Sequence, residues 1–253
     1  MKILSVVLLV SMVQQFEVAS IKRNVSDDLR VRFETPPGRL NAINAPLRFL
    51  IRQAYRVPEA RIIGGPSWLD TDRFDVVATT PQAATGDAIR EMLRALLKER
   101  FGLALHPETR EMPIYVLKTR SAALGPNMRP VTADCIGRSS AMVAGKVQCG
   151  ILVSPGSARA SLRGGGATME HFVRLLGDFL DRPLIDETGL TGTFDLDLEF
   201  AALPGNAVAP TASVDDKPSL FTAIQDQLGL KLEAQRGRAE VWIIDAASPP
   251  LQD

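Results

Sequence analysis

Apolar residues recur at helical spacing in separate stretches of the chain, with strand-like alternation between them. Leu47, Leu50, Ile51, Ala54 and Tyr55 put one apolar face on a helix, and Pro46 suits its first turn. GGPSWLD (Gly64 to Asp70) then reads as a turn and RFDVVAT (Arg73 to Thr79) as a strand. The spacing of Ile89, Met92, Leu93, Leu96 and Leu97 predicts a second helix from about Gly86 to Arg100, stopped by Gly102. Leu103 to His106 and Pro113 to Leu117 read as two strands around a polar turn, and Phe16 to Ile21 as a further strand.

The same order returns about 120 residues later. After Leu162 comes a helix carrying Met169, Phe172, Val173, Leu176 and Leu180, then the turn DETGLTG (Asp186 to Gly192) and the strand TFDLDLEF. Phe194-Asp195 stands where Phe74-Asp75 stood. A helix over Ser219 to Leu228, with Leu220, Phe221, Ile224 and Leu228 on one side, is closed by Gly229. Gly229-Leu230-Lys231-Leu232 then matches Gly102-Leu103-Ala104-Leu105, and the strand Glu240 to Ile244 sets Trp242 against Tyr115. The expected fold class is therefore α+β, as two tandem repeats of about 80 residues, each a small sheet packed under two helices. The predicted organisation is a leader at 1–15, a first repeat at 16–119, a connector at 120–158, a second repeat at 159–248 and a tail at 249–253. Within the second repeat, residues 201–217 read as a Pro/Ala-rich linker.

The leader comes from MKILSVVLLVSMVQQ: one basic residue, an apolar run from Ile3 to Val13, then two glutamines. That is the pattern of an export signal, with cleavage expected near Gln14 or Gln15. Eleven helical residues at about 1.5 Å each cover only about half of a roughly 30 Å hydrocarbon core, so a permanent span is not expected. No cysteine follows the run to take a lipid anchor. Export places the chain in the periplasm or outside the cell, where Cys135 and Cys149 should form a disulfide. Closing a loop of about fifteen residues contributes roughly 3 kcal/mol by restricting the unfolded chain.

Composition narrows the chemistry. Lys+Arg 29 against Asp+Glu 29 leaves no net charge, which excludes the basic footprint of a non-specific nucleic-acid binder. Two histidines and two cysteines leave little for a metal, and no metal or cofactor is expected. His106 and His171 occupy non-equivalent positions, and neither has an orienting carboxylate assigned by the sequence. No G-x-S-x-G or S-x-x-K surrounds Ser154, Ser157 or Ser161. Gly164-Gly165-Gly166 reads as a hinge before a helix, or more remotely as an anion cradle. Asp75 and Asp195 edge the same turn in each repeat, or alternatively form a carboxylate pair for hydrolysis.

The strings FEVASIK (16–22), GGPSWLDTDRFDVVA (64–78), LLKERFGLALHPETREMPIYVL (96–117), GLTGTFDLDLEF (189–200) and SLFTAIQDQLGLKLE (219–233) resemble the uncharacterised Solibacter-type exported family of soil Acidobacteria. That family is defined by a domain of unknown function, so the resemblance implies no activity or catalytic residue. Some members carry the region after a BlaR-like membrane metallopeptidase, which implies extracytoplasmic sensing; this chain has no H-E-x-x-H. Each repeat also resembles, in pattern more than in letters, the short N-terminal domain of secretins and TonB-dependent receptors, a protein-interaction module. The expected function is a non-enzymatic interaction or sensing module with an envelope protein as partner. Trp68, Tyr115 and Trp242 are the binding candidates, although Trp68 would equally plug the gap between its own helix and sheet. Ile114 to Leu117 and Val241 to Ile244 would serve as exposed edges for strand addition. The alternatives are an extracytoplasmic hydrolase using Asp75 and Asp195, and a small-ligand binder in a cleft between the repeats.

Overall fold

The computed structural model describes residues 15–28, 30–80, 84, 86–132, 135, 142–143, 146–147, 149–155, 159–201 and 218–250. The leader up to residue 14, linker residues 202–217 and tail residues 251–253 lie outside them. The chain is a mixed α+β protein whose described residues form three four-stranded sheets and one two-stranded ribbon. It divides into two compact units: the described residues up to Glu108 together with those from Trp242 onward, and Thr109–Val241.

In the first unit β1 (Val18–Asn24), β2 (Arg32–Glu34), β3 (Arg39–Pro46) and α1 (Leu47–Tyr55) come first. β4 (Ile62–Gly64), α2 (Trp68–Thr71), β5 (Arg73–Thr79) and α3 (Gly86–Phe101) follow. The sheet has the order β1-β5-β3-β2. Alternation along β3 and β5 turns Leu40, Ala42, Phe74, Val76 and Ala78 to one face, where they are buried with Leu50, Ile51, Leu93, Leu97 and Phe101 of the helices. Gly102, at φ +56°, ends α3 with the left-handed geometry that favours glycine.

β6 (Ala104–Thr119) leads into the second unit, which holds β7 (Met128–Val131), β8 (Met142–Val143), β9 (Lys146–Val147), β10 (Gly150–Pro155) and β11 (Arg159–Thr168). After these come α4 (Met169–Leu176), β12 (Leu184–Asp186), β13 (Thr193–Ala201), α5 (Leu220–Ala223) and β14 (Leu230–Ala246). Its sheet runs β10-β11-β13-β7. Leu162, Phe194, Leu198 and Phe200 from this sheet share a core with Phe172, Leu176, Leu220 and Leu228. Thr168 caps α4 by accepting the His171 N–H, and Ser219 caps α5 by accepting that of Thr222. The expected last helix has the predicted extent, from its Ser219 cap to Leu228, but α5 widens into a π turn over Ile224–Leu228 before it stops at Gly229.

The third sheet departs most from the sequence-based expectation. Its order is β12-β6-β14-β4, with β12 parallel to Tyr115–Leu117 and β4 parallel to Trp242–Ile244. The expected pair of strands around a polar turn at 103–117 is one strand of 16 residues, and β14 is likewise one of 17. Backbone pairing carries both strands through polar stretches that apolar periodicity cannot register. The expected edges, Ile114–Leu117 and Val241–Ile244, are segments of interior strands, so their backbone groups are not free to accept another strand. Gly164–Gly166 is no hinge: it lies inside β11, and a Cβ on Gly164 would meet Leu196 and Ala167 side chains.

Candidate functional site: a charged cleft on the second unit

The second sheet buries one face and exposes the other, and the exposed face of β13 is acidic. Phe194, Leu196, Leu198 and Phe200 are buried, which sends Asp195, Asp197 and Glu199 to the opposite side. Register supplies the cations. Arg129 of β7 stands opposite Asp195, and Arg163 of β11 opposite Asp197. Arg129 donates to Asp195 Oδ2 through Nη2 at 2.7 Å and Nε at 3.2 Å. Arg163 Nη2 donates to Glu199 Oε1 at 3.0 Å, while its Nε lies 3.5 Å from Asp197 Oδ1.

Arg129, Arg163, Asp195 and Asp197 line a cleft of about 320 Å³ together with Pro126, Asn127, Met128, Val147, Gly164 and Leu196. Val147 belongs to β9, in the segment spanned by the Cys135–Cys149 disulfide. That disulfide, expected from the sequence, is formed, with a Cα–Cα distance of 5.5 Å. Asp197 is the electrostatic exception among the carboxylates of the face. Its Oδ1 is hidden from solvent and, among the described residues, is approached by Arg163 Nε alone without a hydrogen bond of normal geometry. Burial, with the neighbouring Glu199 charge, pushes its pKa above the ordinary carboxylate range against the opposing pull of Arg163. The Arg163 guanidinium is held above its usual value, chiefly by its hydrogen bond to Glu199.

Asp75 and Asp195 hold backbone in place, and what they edge is a β-bulge, not a turn. The β3–β5 ladder slips between Ala42 and Ala45, and Asp75 Oδ1 accepts the Asn44 N–H at 2.9 Å and Asn24 Nδ2 at 2.8 Å. The β11–β13 ladder slips between Gly164 and Ala167, and Asp195 Oδ1 accepts the Gly166 N–H at 3.1 Å. Asn44 and Gly166 adopt φ of 58° and 54°, so each aspartate answers an N–H turned out of its ladder by left-handed backbone.

The aromatic candidates occupy different settings. Trp68 opens α2 and is half-buried, its ring 6.4 Å from that of Phe74. Trp242 is half-buried on β14 with its ring 4.9 Å from Tyr55. Tyr115, in the other unit, packs edge-on at 5.3 Å against Phe221, which is 38% exposed, and the Arg182 guanidinium covers its ring at 5.3 Å. His106, for which the sequence assigned no carboxylate, has Nδ1 2.9 Å from Asp245 Oδ2 and Nε2 3.9 Å from Glu108 Oε2. Sequence separation hid that pair. Among the described residues, no cluster of three or more His, Cys, Asp or Glu side chains could hold a metal, and no helix is long and apolar enough to cross a membrane.

The architecture and the cleft define a class: a disulfide-bearing α+β protein with a charged cleft on one sheet. Residues 48–247 match the family described as a protein of unknown function (DUF3738), and the chain belongs to it. No curated protein and no solved structure matches.

Proposed function

We propose that the chain is an exported, non-enzymatic binding module of the cell envelope, and that the cleft beside β13 is its ligand site. The observation that carries this reading is a concave surface on which the charged side chains of Arg129, Arg163, Asp195 and Asp197 converge. The apolar run at Ile3 to Val13 and the disulfide support export. Titration of the oxidised chain with a panel of small amines, carboxylates and sugars, followed by amide chemical shifts, tests the site. Saturable shifts confined to residues 126–129, 163–164 and 195–197 are expected; their absence with every probe overturns the reading.

An envelope-protein contact is the second reading, favoured by the exposed Phe221 ring on Tyr115 beneath Arg182. Like Trp68 and Trp242, Tyr115 is half-buried against a ring of its own unit; what sets it apart is that its partner ring, Phe221, is 38% exposed. Capture from envelope extract by the native chain but not by Tyr115→Ala would support it.

We also read the chain as an internal duplication with units bounded near 16–119 and 159–248. Support comes from the sheet orders β1-β5-β3-β2 and β7-β13-β11-β10, from the bulge in each central ladder, and from the aspartate that answers it.

A further inference from the structure

The chain enters the first unit twice. It leaves at Glu108, supplies the second unit from Thr109 to Val241, and returns at Trp242. The returning segment is packed into what it rejoins. Trp242, Ile243 and Ile244 pair in parallel with Ile62, Ile63 and Gly64 of β4. Ile244 is buried in the first core, Ala247 packs against that core, and the Trp242 ring stands 4.9 Å from that of Tyr55. Asp245 Oδ2 lies 2.9 Å from His106 Nδ1, and the Ser248 N–H donates to the Phe101 carbonyl at 2.7 Å, where α3 ends. The second unit needs no such return, because its core, from Leu117 through Phe172 and Phe194 to Leu232, is drawn from one continuous stretch of chain.

Continuity in one unit and interruption in the other make the two partly folded states unequal. With the first unit open, the second still holds every residue of its own core. With the second unfolded and the first intact, about 130 residues become a flexible loop whose ends the first unit must hold together, which disfavours that state by about a thousandfold. A folded second unit removes the penalty, since its own structure has already placed both ends. We infer that the second unit is the folding clamp of the first. It forms by itself and hands Trp242–Ser248 back to the first unit, which persists only while the second is folded and can open while the second stays intact.

Both tryptophans, Trp68 and Trp242, belong to the first unit, so their fluorescence reports it alone, while the amides of α4 and β13 report the second. The test is urea unfolding of the full oxidised chain followed by both signals. Phe172→Ala empties the centre of the second core and, with the disulfide reduced where needed, brings the midpoint of α4 and β13 below the wild-type tryptophan midpoint. The tryptophan signal should follow it down; Phe172→Leu makes the same comparison by a smaller step in a chain that keeps its fold. Leu93→Ala, in the first core, should do the opposite: the tryptophan midpoint falls and the transitions separate, with the α4 and β13 amides still protected after the tryptophans are exposed. Native tryptophan emission that outlasts the α4 and β13 amides in a Phe172 variant overturns the inference. So does loss of those amides together with the tryptophan signal in Leu93→Ala, which would mean that the second unit cannot stand without the first.

Discussion

Asp75 accepts from a backbone N–H and from the Asn24 amide, and its removal leaves the Asn44 N–H in a buried residue without its partner. Asp75→Ala should destabilise the chain by about 1–3 kcal/mol in urea unfolding, and Asp75→Asn by less, because its carbonyl oxygen can still accept. A wild-type midpoint in Asp75→Ala would remove the bulge-holding role. Asp197 should behave oppositely. Its pKa is raised in the folded chain, so the disadvantage of its ionised form is complete above that raised value and disappears as pH falls below about 4, its ordinary range. Asp197→Val should therefore melt higher than wild type at neutral pH, with the gap closing on acidification. Glu233 has the reverse sign: Lys231 at 2.6 Å and Lys118 at 2.9 Å depress its pKa, so its stabilising pairings hold at neutral pH and are lost as pH falls through the depressed value. The acidic stripe Asp195, Asp197, Glu199 was legible in TFDLDLEF through its period of two. Arg129 and Arg163 were not, because register between distant strands, not spacing along one strand, brings them opposite.

At the scale of elements, the close passage of two backbones sets a sharp constraint. Gly229 takes φ +70° where the helix after α5 stops, and a Cβ on Gly125 would run into the Gln227 and Gly229 backbone. Gly125→Ala should cost about 1–3 kcal/mol, since the obstacle is main chain and cannot change rotamer; an unchanged melting temperature would mean the loop yields freely. The disulfide acts on the segment that includes β8 and β9 and borders the cleft. Reduction, or Cys135→Ser with Cys149→Ser, should cost about 3 kcal/mol and lower the melting temperature by about 5–10 °C. Helices such as α1 and α3 were visible because each buries a continuous apolar stripe: Leu47, Leu50, Ile51 and Ala54 in one, Ile89, Met92, Leu93, Leu96 and Leu97 in the other. The unbroken run of β6 was not, because its polar stretch is sustained by ladder pairing that leaves no hydrophobic trace.

For the whole molecule, export makes a direct prediction: the intact mass of protein recovered outside the cytoplasm should lack the segment up to about Gln14, and retention of that segment would sink the export reading. The sequence by itself determined the α+β class, the helices α1, α3, α4 and α5, the strands β5 and β13 with parts of β1, β6 and β14, the pairing of the two cysteines and membership of an uncharacterised family, because each follows from local periodicity, residue chemistry or shared strings. Tertiary structure alone decided that β6 and β14 build a third sheet, that Asp75 and Asp195 hold bulges, and that Arg129 and Arg163 meet the acids of β13 around a cleft. The physical reason is one of range. Side-chain period and backbone propensity act over a few residues, whereas strand order and register are set by hydrogen bonds and packing between segments far apart in the chain, which no local pattern encodes.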